Sequence, residues 1–180
     1  MRSPRETAEL LLPGFIIGLV AGVVAGGLAA ISGLSTAHIL VSAFGFGLPL
    51  AVLGAGYSAI LASGRIRMGG IAPAALYWAI GFPIARLVHE SAVDAVFPNQ
   101  GLSAVGPVLP WLLLMAVLST GWTIGFMWLH EHLAPYWWLR IRDHNARANS
   151  YVEGYMSQAV KLQHQKESRR RSKSKAQPVS

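Results

Sequence analysis

Residues 13–33 form an apolar run without a charged side chain, in which Gly14, Gly18, Gly22 and Gly26 recur at every fourth position. At 3.6 residues per turn these glycines line up on one helix face and leave it bare. A helix in water would lose about 1 kcal/mol at each such glycine relative to alanine. In lipid the bare face lets a second backbone approach closely, and packing replaces the hydrophobic drive that lipid cannot supply. The partner of such a face is most often a neighbouring span of the same chain, and otherwise another protein.

Composition sets the solvent. The chain is 53% hydrophobic and 13% charged over 180 residues, more apolar matter than a soluble domain of this size can bury. It reads as an integral membrane protein. The formal charge is +7, but residues 161–175 hold seven basic side chains against the single acid Glu167. The basicity therefore belongs to a tail. Without cysteine there is no disulfide, no thiolate-bound iron–sulfur cluster and no covalently attached c-type haem.

Taken in order, Ser3, Pro4 and Glu6 have capping-box spacing, which predicts a short interfacial helix over residues 1–12. Four spans follow at about 13–33, 37–62, 70–89 and 108–129, each long enough for a hydrocarbon core of about 30 Å. Pro49, Pro73 and Pro83 predict bends or local unwinding in the second and third. Gly54, Ser58 and Ala62 give the second span a small face, and Gly121 and Gly125 give one to the fourth. Arg2, Arg5, Arg65, Arg67 and the basic residues after the fourth span all fall on one side, while loops 32–36 and 95–107 carry neither Lys nor Arg. The positive-inside rule then places both termini in the cytoplasm.

After Pro135, residues 136–142 read as an interfacial helix, with Trp137 and Trp138 in the headgroups and Arg140 and Arg142 toward lipid phosphate. Ser150 and Glu153 have the spacing of a second capping box, opening an amphipathic helix that ends near Gln165. The segment 134–165 is thus cytoplasmic and helical. The tail 166–180, with Arg169, Arg170 and Arg171, is too charged to bury and is expected to be disordered.

Chemistry is sparse. No nucleotide loop, zinc motif, nucleophile elbow or haem-attachment signature occurs, and no catalytic residue, cofactor or metal site is expected. The conspicuous polar set is Arg86, His89, Glu90 and Asp94 at the outer end of span three, with His38 entering span two from the same side. Arg86 and Glu90 are four residues apart, as are Glu90 and Asp94, so they share a face and can pair. An anchoring salt bridge is the plain reading, and a buried contact with a partner subunit or a proton- or quinone-side role are the alternatives. In His130-Glu131-His132, neighbours diverge by about 100° on a helix, so one helix cannot aim all three at one ion. A basic tail behind a membrane anchor favours anionic phospholipid, and the absence of aromatics after Tyr155 argues against nucleic acid.

The Ala/Gly/Arg-rich spans and the run Trp137-Trp138-Leu139-Arg140-Ile141-Arg142-Asp143-His144-Asn145 resemble small accessory membrane subunits of actinobacterial respiratory supercomplexes, over about residues 135–165. The resemblance implies an association factor or supernumerary subunit beside a cytochrome bcc complex and an aa3-type oxidase, with no redox centre of its own. The expectation is therefore an all-α integral membrane four-helix bundle with a cytoplasmic amphipathic C-terminal helix and a basic tail. It would serve other integral membrane subunits as a non-catalytic accessory subunit. The rival is a small oligomeric transporter or channel with broken helices at Pro49, Pro73 and Pro83.

Overall fold

The computed structural model describes residues 4–66, 70–101 and 107–176. They form α1 (Pro4–Ile31), α2 (Thr36–Ala62), α3 (Ile71–Val96), α4 (Val108–Ile141) and α5 (Ala146–Ala176), with no strand among the described residues. The first four are long and apolar enough to cross a membrane, which makes this a multi-pass membrane protein. Contacts divide the chain into two units, Met1–Ala134 and Pro135–Ser180.

In the first unit, α1 and α2 form a tight helical hairpin. Gly33 takes φ +71, its N–H bonds Ala30 O at 3.0 Å, and Leu34 N bonds Ala29 O at 3.1 Å. This is the Schellman closure, in which the left-handed position suits glycine. Two residues later Ser35 caps α2, its hydroxyl accepting from His38 N at 3.5 Å. The core behind the hairpin runs through Ile17, Leu50, Tyr57, Ala74, Trp78, Phe82, Met115 and Phe126.

Prolines interrupt less than expected. α1 is continuous through Pro13, so no separate helix over 1–12 precedes the first span, and the Ser3 cap lies outside the described residues. α2 and α3 are likewise continuous through Pro49 and Pro83, and Pro73 sits in the first turn of α3, where its missing N–H has no helical partner to lose. Each interior proline of α1, α2 and α3 removes one hydrogen bond, to Glu9, Gly45 or Ala79 O, and packing against neighbouring helices holds the rest. α3 also extends to Val96 and α4 to Ile141, beyond the expected ends at 89 and 129. At about 1.5 Å per residue the 34 residues of α4 reach roughly 50 Å, longer than the hydrocarbon core.

In the second unit, the end of α4 turns at residues 142–145 into α5. The cap is Asn145, fully buried, whose Oδ1 accepts from Ala148 N at 3.2 Å. Ser150, the expected cap, instead lies inside α5 and donates to Arg147 O at 2.8 Å, while Glu153 accepts from Asn149 Nδ2 at 2.9 Å. An asparagine just after a turn out-competes a serine five residues further on, because only the first non-helical position can cap. α5 runs on to Ala176, past the expected end near Gln165. Lysine and arginine are good helix formers, so charge alone does not stop a helix.

Candidate functional site

The glycine ladder of α1 lies against α2 at backbone contact. A methyl group built on Gly14 would strike Gly54 O and lie 2.5 Å from Ser58 Oγ. One on Gly18 would strike Leu50 and Ala51. One on Gly22 would lie 2.5 Å from Gly47 Cα, and one on Gly26 2.9 Å from Ala43 Cβ. Real Cβ atoms do not approach so closely, so alanine at the first three positions already forces the helices apart. The facing ladder on α2 is Ala43, Gly47, Ala51, Gly54 and Ser58. Sequence reasoning took Gly54 and Ser58 from it but missed Ala43, Gly47 and Ala51. Their small-residue spacing of three or four was the available signal.

α4 is held differently, by aromatic rings and side-chain hydrogen bonds. Trp78 of α3 meets Trp122 edge-on at 5.3 Å and Phe126 at 4.7 Å, while Tyr57 of α2 meets Phe126 at 5.3 Å and His130 at 5.6 Å. Four hydrogen bonds stitch the helices through this layer. Ser119 Oγ donates to Trp78 O at 2.6 Å, Tyr77 Oη donates to Leu53 O at 2.6 Å, Tyr57 Oη donates to Met127 Sδ at 3.1 Å, and Ser58 Oγ pairs with His130 Nε2 at 3.1 Å. Ser58 and His130 are 2% and 3% exposed, so the bond is made inside the bundle. Tyr57, Ser58, Tyr77 and Ser119 thus join helix to helix. Thr120 and Thr123 turn their hydroxyls onto Ala116 O and Ser119 O.

The charged set at the end of α3 resolves into three separate contacts. Arg86 forms an ion pair with Glu90 and places Nη1 3.2 Å from His89 Nδ1. A guanidinium only donates, so Nδ1 of His89 accepts in this arrangement. His89 and Glu90 are buried, and Phe46 of α2 lies edge-on to His89 at 5.6 Å. His38 does not join them. It stacks on Phe97 at 3.6 Å and bonds Ser35 Oγ at 2.8 Å and Gln100 Oε1 at 3.3 Å, fastening the α1–α2 turn to the segment after α3. Asp94 accepts from Gly101 N at 2.8 Å and anchors the same segment. The reason for the split is that α3 continues seven residues past His89, so its end, and not its middle, meets His38.

Gly121 and Gly125 depart from the packing role expected of them: neither has a neighbour within 4 Å of where a Cβ would stand, among the described residues. They lie on the outward face of α4, opposite the buried Met115, Ser119, Phe126 and His130. The bundle surface around them is apolar, with Leu114, Val117, Leu118 and Ile124 exposed. Grooves of about 590 Å³ between α2 and α3 and about 510 Å³ between α3 and α4 are lined almost wholly by apolar or small side chains, Phe44, Leu48 and Val52 in one and Ala75, Ala79 and Ala116 in the other.

Near the C-terminus Trp138 is 3% exposed and lies tilted against Tyr151 at 5.0 Å, so it is a packing residue of the second unit and not a headgroup anchor. Burial also raises the pKa of the Tyr151 phenol, with Arg147 opposing. Trp137 is half-buried, Arg140 and Arg142 are exposed, and Arg142 lies 3.6 Å from Asp143. The side chains of Arg169, Arg170 and Arg171 lie outside the described ones. His130 and His132 serve different partners, Ser58 for the first and Trp128 O at 2.6 Å for the second. Among the described residues no three His, Asp or Glu side chains converge as a metal site.

No family model matches this sequence, no curated protein matches it and no solved structure matches its fold.

Proposed function

We propose that this chain is a non-catalytic accessory or association subunit of a larger membrane complex, lying in the cell membrane with both termini in the cytoplasm. One observation carries the reading. Tyr57, Ser58, Tyr77 and Ser119 inside the bundle are engaged in joining helices, whereas the small-residue face of α4 at Gly121 and Gly125 is left uncovered. A transporter needs a polar site near the midplane and discontinuous helices around it, whereas a supernumerary subunit needs only surface. Continuity of α2 and α3 through their prolines favours the second requirement. The partners are other integral membrane subunits, with anionic phospholipid at Arg140, Arg142 and the basic end of α5. The resemblance of residues 137–145 directs the choice of complex to the respiratory chain.

The test is affinity purification from native membranes in mild detergent, followed by mass spectrometry and absorption spectra. Haem-bearing subunits in stoichiometric amounts are the expected result. Recovery of the chain alone, together with solute flux in liposomes that is abolished by changing Arg86 or Glu90, would establish the transporter reading instead.

A further inference from the structure

The basic end of α5 holds serines that the lipid contact proposed above does not use. There the sequence Arg169-Arg170-Arg171-Ser172-Lys173-Ser174-Lys175 places three guanidinium-bearing residues immediately before a serine. Ser168, one turn earlier, is exposed, and its hydroxyl donates to Gln165 O at 2.9 Å. The backbone is helical to Ala176, so Ser172 has Arg169 three residues behind it and Lys175 three residues ahead, on adjoining turns.

We propose that Ser172 is a phosphorylation site for an arginine-directed serine kinase, and that its phosphate releases the basic end of α5 from anionic lipid. The inference rests on the lipid contact proposed above for that segment. A kinase whose substrate cleft is lined by carboxylates recognises guanidiniums through paired, charge-assisted hydrogen bonds, and Ser172 has arginine at each of its three preceding positions. Ser168 and Ser174 do not: Lys166 and Glu167 precede the first, and a lysine lies next to the second. In the transfer, the Ser172 hydroxyl oxygen attacks the γ-phosphorus of ATP. The new O–P bond forms as the bond to the β,γ-bridging oxygen breaks, ADP leaves, and the hydroxyl proton passes to the kinase's base.

The product carries about −1.5 to −2 charges. Arg169 and Lys175, three positions to either side on a helical backbone, have the spacing to pair with it in place of lipid phosphate. The dianion is itself repelled by an anionic surface. Losing the attraction of roughly two basic residues, each worth about 1 kcal/mol at such a surface, lowers the ratio of bound to free tail about thirty-fold.

The chain has no cysteine, so Ala176→Cys gives full-length protein a single attachment point for an environment-sensitive dye. The labelled protein is reconstituted in vesicles rich in phosphatidylglycerol and in neutral phosphatidylcholine vesicles. It is then treated with cyclic-AMP-dependent protein kinase and Mg-ATP. The expected result is a blue-shifted dye in anionic vesicles only, phosphate incorporation that Ser172→Ala abolishes, and loss of the blue shift on phosphorylation but not in Ser172→Ala. Identical emission in both vesicle types before treatment would overturn the lipid contact itself. A blue shift that survives stoichiometric phosphorylation would overturn the switch while leaving the lipid contact standing. Failure of Ser172 to accept phosphate would overturn the site.

Discussion

At the scale of single residues, two pairs set what the polar side chains contribute. Arg86 is about a third exposed, so its ion pair with Glu90 is screened, and a double-mutant cycle with Arg86→Ala and Glu90→Gln is expected to give a coupling of only about 0.5–1 kcal/mol. Thermal unfolding of the four proteins in one detergent measures it, and zero coupling would remove the pair from the account. Ser58 is more demanding, because its hydroxyl faces His130 on one side and Gly14 on the other. Ser58→Ala removes one hydrogen bond, at about 1 kcal/mol. Ser58→Leu adds bulk where the α1 backbone already touches, and should cost about 1–3 kcal/mol more. Equal midpoints for the alanine and leucine variants would mean that α1 and α2 are not in contact there.

At the scale of helices, the two small-residue faces make opposite predictions. Gly22→Leu forces α1 from Gly47 and Ala43 and should lower the yield and melting temperature of the isolated protein. Gly121→Leu meets open space within the chain and should leave the isolated protein unchanged, while weakening its retention in the complex. Equal melting losses for the two variants would contradict this difference. These faces also mark how far the sequence could be read. Glycines at every fourth position are legible because lipid-embedded helices offer few other uses for them, and four apolar runs of span length are legible from hydropathy. Which small face meets its own chain is not, since Gly121 and Gly125 look in sequence like Gly14 and Gly18 but point away from the bundle. The prolines do not unwind the helices, because propensity in water overstates their effect where neighbouring helices hold the backbone. The Ser58–His130 bond had no local signal at all: its partners are 72 residues apart and meet only through the packing of α2 on α4.

At the scale of the whole molecule, the first unit packs one pair of helices backbone to backbone and attaches the fourth through an aromatic layer, and both arrangements leave a wide apolar perimeter. Orientation of that perimeter follows from loop charge. In sealed cells, Ser35→Cys should react with an impermeant maleimide and Ser172→Cys should not; the reverse pattern would invert the topology. On the accessory-subunit proposal the perimeter acts by occupying a neighbour's surface, so the consequence of losing the chain falls on assembly and not on turnover. Deleting the gene should therefore reduce the intact complex on native gels and leave the partner's turnover per cofactor largely unchanged. Restoring the chain as Gly121→Leu should restore the protein to the membrane without restoring the complex. A deletion strain with a normal amount of complex but a lower turnover per cofactor would place this chain inside the chemistry, and the accessory-subunit reading would fall.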